Sequence, residues 1–273
     1  MKKLKPTERL SLNQITTEQW NLKEAVEGCA KANIPYISLW RHKIEEIGLK
    51  ESSRLVRDVG LGVSSVCRGG MFPVDSDAAK ERNFEDNLRA IEEAYELNAD
   101  VLVLVCGAAV NKNIGDARKM IREGIERLVP YAKDAGVKLG IEPLHPMFAA
   151  ERCAIVTLDE ANTIAEQYDA NNVGVIVDVY HVWWDPNLYK QIKRATGRIL
   201  GYHVSDWLVP TPDMVKGRGM MGDGVIELMK IRQAVEEAGY MGPIEVEIFN
   251  EEIWKQDGHK VLAQMKERYA EYV

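Results

Sequence analysis

Eight short runs rich in Val, Ile and Leu alternate with longer amphipathic stretches along the 273 residues, and this rhythm limits the possible folds more than any other feature. The runs fall at 9–14, 35–41, 62–68, 100–106, 137–143, 173–179, 199–205 and 243–249. Strand-length apolar runs separated by helix-length segments are what parallel βα units require, because parallel neighbours need a long crossover between them. Four units share a phrase at the helix end: AKANIPYISL, VRDVGLGVSS, AKDAGVKLGI and VEEAGYMGPIEV. Each turns through Asn or Gly from a helix into a strand. The period of roughly 34 residues lies in the range of stacked supersecondary modules. No Pro-, Gly- or Ser-rich linker interrupts the series, so the expectation is one α/β domain over 1–273, a single (β/α)8 TIM barrel. A doubly wound sheet is the alternative, and the lack of a glycine-rich fingerprint after the first run counts against it. Helix signals are clearest in the second half. Thr157 with Glu160 has capping-box spacing, and Gly239 stops the segment VIELMKIRQAVEEA.

Bulk properties exclude some functions. A chain 46% hydrophobic and 28% charged folds around a core. A net charge of -7 repels a phosphate backbone, and no basic run offsets it, so nucleic acid is not an expected partner. Cys29, Cys67, Cys106 and Cys153 stand singly in apolar runs, which predicts reduced core thiols. The N-terminus MKKLKPTERLSLNQ lacks the apolar stretch of a signal peptide, and no segment reaches membrane-spanning length. The expectation is a cytoplasmic protein with no membrane partner.

Chemistry concentrates where the runs end. Glu142 closes VKLGIEP, Asp178 closes the apolar part of NVGVIVDVYH, His203 lies in ILGYHVSDW and Glu247 in GPIEVEIF. In barrel enzymes the C-terminal strand ends carry the active site. A lone acidic residue at a strand end is usually a loop cap, but four in phase on successive strands form a cluster whose burial is very costly without a cation. Three carboxylates and one imidazole, with no thiolate, suit one divalent ion: Mn, Mg, Co or, less exclusively, Zn.

Neighbouring residues have plain and functional readings. Glu245 shares a face with Glu247 one layer deeper and reads as structural, within reach of Lys138. Asp206 is either the acceptor that orients His203 or a cap for the following loop. His181 is suited to hold a substrate oxygen. The glycine-dense KGRGMMGDG reads as a turn, or as a wall that aims Arg218 at a substrate oxygen. Arg41, His42, Arg68 and His145 add polar or positive character, and Trp183 and Trp184 offer flat faces to a sugar. Together they allow an anionic or polyhydroxylated substrate.

With IEP, DVYH, HVSDW, GRGMMGDG and IEVEIF in this order, the chain resembles the xylose-isomerase-like TIM-barrel superfamily of sugar isomerases and epimerases, most closely over 137–252. The resemblance implies that Glu142, Asp178, His203 and Glu247 bind one divalent metal, and that His181 and Arg218 contact substrate oxygens. The superfamily also contains three-zinc endonucleases. Their additional histidines are missing from a chain with only five, and Lys216 and Arg218 occupy the place of the loop Asp-x-His pair.

The residues and the resemblance together predict an isomerase or epimerase of a keto-sugar, keto-inositol or related polyhydroxy carbonyl compound. Glu142 and Glu247 would shuttle the proton through an enediolate, with His181, Arg218, Arg68 and Trp183 around the substrate. A metal-dependent lyase or dehydratase on an oxidised sugar or inositol is the alternative, and a non-catalytic sugar-binding barrel a third reading. The resemblance also suggests a homodimer or homotetramer.

Overall fold

A computed structural model describes residues 7–110 and 112–273. Eight parallel strands close into a barrel: β1 (Leu10–Asn13), β2 (Tyr36–Trp40), β3 (Gly62–Gly70), β4 (Leu102–Val105), β5 (Leu139–Glu142), β6 (Val173–Asp178), β7 (Ile199–Val204) and, after a short antiparallel pair β8 (Asp206–Trp207) and β9 (Arg218–Gly219), β10 (Ile244–Val246). All eight expected strands are present, each within a few residues of its predicted bounds. The β8–β9 pair is an addition, since two-residue strands carry no period to read.

Helices such as Asp77–Glu96, Ile114–Ala135 and Gly258–Tyr272 surround the barrel, each burying an apolar stripe. The recurrent helix-end phrase has one conformation throughout. Asn33, Gly60, Gly136 and Gly239 have φ of 53°, 76°, 71° and 93°, the left-handed stop after which the chain enters the next strand. Thr157 caps the helix Leu158–Ala165 by accepting from the Glu160 N–H. Glu160 returns its carboxylate to the Val156 N–H, one residue earlier than in a capping box.

Side chains fill the barrel. Cys67, Val101, Val103 and Ile176 form one apolar layer inside. Ile176 fits because Gly140 and Gly201 flank it; a Cβ at either would lie 2.5 or 2.8 Å from its Cδ1. Nearby, Ser11 pairs with Ser64 and Ser38 with Ser65, both at 2.7 Å, so the buried hydroxyls satisfy one another. All four cysteines are buried and free, as expected. No helix among the described residues is long and apolar enough to cross a membrane.

Candidate active site

The strands bearing the four predicted ligands, β5, β6, β7 and β10, are consecutive around the barrel. Register brings them level: Asp178 lies opposite His203, and His203 opposite Glu245. Glu142 ends β5 and Glu247 follows β10 directly. Each is at most 5% exposed. One donor atom from each of Glu142, Asp178, His203 and Glu247 lies within 4.8 Å of the others, and no second cluster of this kind occurs among the described residues. His203 Nδ1 is 3.2 Å from Glu142 Oε1 and 3.3 Å from Glu247 Oε2. Buried Glu142 Oε1 and His203 Nδ1 make no hydrogen bond. Orphaned buried donors of this chemistry fit a divalent cation, which would give each of them a bond.

Glu245 is the residue that faces the other side of the imidazole. Its Oε2 lies 3.3 Å from His203 Nε2 and accepts from Asn13 Nδ2. Among the described residues no ion pair joins it to Lys138, and it stands in the place considered for Asp206, beside the imidazole though without a formed hydrogen bond to Nε2. Asp206 instead binds the loop, accepting from the N–H groups of Trp207, Gly222 and Ile226. A carboxylate behind a ligating imidazole directs its proton away from the ligating nitrogen and raises its basicity. Replacing Glu245 by Gln should lower metal affinity about 10- to 100-fold with the fold intact, measured by competition with a chelating dye. Unchanged affinity would make Glu245 a packing residue.

Arg218 lies among the acids. Its Nη1 donates to Asp178 Oδ2 at 2.8 Å and contacts Glu247 Oε2 at 3.3 Å, while its guanidinium covers Tyr180 and Phe249. His181 Nδ1 accepts from the His145 N–H at 3.2 Å, and its Nε2 is 3.1 Å from Arg218 Nη2 and 3.5 Å from Asp178 Oδ2. Burial lowers the His181 pKa to about 3. The imidazole is neutral at ordinary pH.

The two glutamates are driven apart. Burial, with the Glu247 charge adding to it, raises Glu142 to about 7. Burial also opposes ionisation of Glu247, but Arg218 and His203 more than offset it and bring Glu247 down to about 2. Burial likewise opposes charge on His203, and Glu245, Glu142 and Glu247 overcome it, so its pKa is well raised.

The remaining predicted residues divide. Arg41 is locked to Asp86 and Glu93, which makes it structural. His42 stands half-exposed beside Glu18. Trp183 tilts against Trp207 at 5.5 Å, and Tyr180 and His145 pack on the same ring, forming an aromatic wall. Trp184 donates its ring N–H to the His181 carbonyl and so anchors that segment. Arg68 is half-buried at the end of β3. Arg152, in the loop after β5 and not singled out by any motif, lies with its guanidinium 5.5 Å from the Phe148 ring and 6.0 Å from that of Phe249.

A family model described as xylose isomerase-like TIM barrel matches residues 26–268. An inosose isomerase of Halalkalibacterium halodurans is 24% identical over 97% of this chain and 96% of its own length. Among solved structures, protein SMc04130 of Sinorhizobium meliloti 1021 is 48% identical with a TM-score of 0.95, covering 97% of this chain and 98% of that one. The IOLI protein with a binding zinc atom is 21% identical with a TM-score of 0.83, covering 97% and 99%. Further relatives carry epimerase names. By the extent of the family match, the chain belongs to the xylose isomerase-like TIM barrel family, whose relatives named here are isomerases and epimerases.

Proposed function

We propose a divalent-metal-dependent isomerase or epimerase that moves a proton on the carbon next to the carbonyl of a keto-sugar, keto-inositol or related polyhydroxy compound. The observation that carries this reading is the buried cluster of three carboxylates and one imidazole, with donor atoms within 4.8 Å. The zinc in the structurally similar IOLI protein supports a divalent ion there. When bound, such an ion supplies the positive charge that polarises a carbonyl oxygen and stabilises an enediolate.

Glu142 and Glu247 reach the cluster from strands separated by β6 and β7, so they approach a substrate from different sides. Glu142 takes the proton; return of that proton by Glu142 to the neighbouring carbon gives isomerisation, whereas epimerisation needs Glu247 first to take up a solvent proton and then to deliver it to the opposite face of the same carbon. Neutral His181 holds a substrate oxygen, Arg218 pairs with Asp178 and Glu247 and so fixes their carboxylates in place, and Trp183 belongs to the wall against the sugar face. The test is deuterium uptake from heavy water, with and without added Mn, using a panel of ketoses, keto-inositols and hydroxypyruvate. Metal-dependent exchange with a mass-neutral rearrangement is expected. An unsaturated product would instead indicate a lyase, and no exchange across the panel would favour a binding role.

The metal should also change how stability responds to pH. The Glu142 pKa is raised above the ordinary carboxylate value, so in the metal-free protein its contribution is fully present below about pH 4 and is lost as pH rises through 7. The raised His203 pKa acts in the same direction. Binding the ion displaces these protons, so the Tm gained from saturating metal should be larger at pH 8 than at pH 6. An equal or smaller gain at pH 8 would contradict this.

A further inference from the structure

We propose that Arg68 and Arg152 form an anion-binding subsite at the barrel mouth, so that the substrate carries a carboxylate or phosphate group in addition to its carbonyl. The substrate part of this inference rests on the isomerase reading; the subsite itself does not.

Arg68 is the extra residue of a bulge. The pairing of β3 with β4 passes from Cys67 to Gly69 and omits it, a device that re-aims a side chain at a sheet end. It lines a cavity of about 360 Å³ beside Trp40 and Gly70. Arg152 comes from the loop after β5 and stands over the ring of Phe249, which Arg218 also faces. The Phe249 ring packs edge-on against Trp40 with centroids 5.7 Å apart, and Trp40 lines the Arg68 cavity, so this aromatic pair joins the two arginines at the barrel mouth.

Neither guanidinium has a hydrogen-bond or ion-pair partner among the described residues, although both are half-buried. Arg41 provides the contrast, with Asp86 and Glu93 saturating its fork. The charges around Arg68 are Arg41, Asp86 and Glu142; those around Arg152 are Arg218, Arg68, Glu247 and Glu142. Asp86 is committed to Arg41 and Arg89, and Glu142 and Glu247 to the metal cluster. Burial, Arg218 and then Arg68 disfavour the charge on Arg152, and burial and Arg41 disfavour it on Arg68. Two partly desolvated guanidiniums that repel each other in a protein of net charge -7 lack only a counter-ion. Their planar forks match carboxylate and phosphate oxygens.

The test titrates sulfate and acetate separately into Mn-loaded protein by calorimetry at constant ionic strength. One anion should bind saturably. Arg68→Gln and Arg152→Gln should each weaken it about tenfold or more, as expected for one lost charged hydrogen bond, while Arg54→Gln on the surface changes nothing. Preference for sulfate assigns a phosphate-bearing substrate, and preference for acetate a carboxylate-bearing one. Wild-type protein that binds neither anion, or both arginine variants binding as wild type, would overturn the subsite. Deuterium exchange on D-tagaturonate, D-tagatose 6-phosphate and D-tagatose then reads catalysis separately. Anion binding without exchange on any of the three would retain the subsite and count against the isomerase.

Discussion

Arg218→Ala should destabilise the metal-free protein by about 3–5 kcal/mol, a drop in Tm on the order of 10 °C. The reason is electrostatic. Arg218 is 5% exposed and is the guanidinium bonded to Asp178 and Glu247, both themselves buried. Its removal leaves two carboxylates without compensation and uncovers the rings of Tyr180 and Phe249. Saturating Mn should recover part of the loss, because a cation in the same cluster neutralises the same acids. Arg218→Lys should restore charge but not the second arm that reaches His181 at 3.1 Å, and should fall between the two. Thermal unfolding in chelator and in metal measures all of this. A loss under about 1 kcal/mol in chelator would mean that the acids are already neutral or solvated.

Glu142→Gln should reduce exchange of the substrate α-proton by about 10²–10⁴-fold at saturating metal, the range for removing a general base. The same substitution should leave the metal-free protein at least as stable as wild type. Glu142 Oε1 is buried without a hydrogen bond, and burial has already raised its pKa to about 7, so a neutral isostere removes a desolvation cost. Activity and stability thus move in opposite directions, a combination that simple misfolding cannot produce. Metal affinity will fall with the loss of one ligand charge, so exchange must be read at an ion concentration shown to saturate the variant. Retained exchange there would remove Glu142 from the role of base.

Much of this arrangement was legible in the sequence because it is periodic. The eight apolar runs and the repeated stop before each strand are local patterns, and the same alternation placed Glu142, Asp178, His203 and Glu247 in phase at strand ends. Features that depend on contacts between distant segments were not legible. Glu245 looked like a partner for Lys138, yet the register of β7 with β10 sets it against His203. Asp206 looked equally suited to the imidazole and to the loop, and only the path of the chain through Gly222 and Ile226 decides for the loop. Arg41 and Arg68 read alike as strand-end arginines, but Asp86 and Glu93 on the helix Asp77–Glu96 neutralise only the first. Arg152 lies in an unpatterned loop, and its position follows from the rings of Phe148 and Phe249.

The central claim is that Glu142, Asp178, His203 and Glu247 hold one divalent ion. Equilibrium dialysis of chelator-stripped protein against Mn and against Zn, with metal counted by mass spectrometry, tests it most directly. The prediction is one tightly held equivalent per chain, lost in Asp178→Ala and in His203→Ala variants that remain folded. No tight binding by the wild type, or a full equivalent retained in both variants, would contradict it.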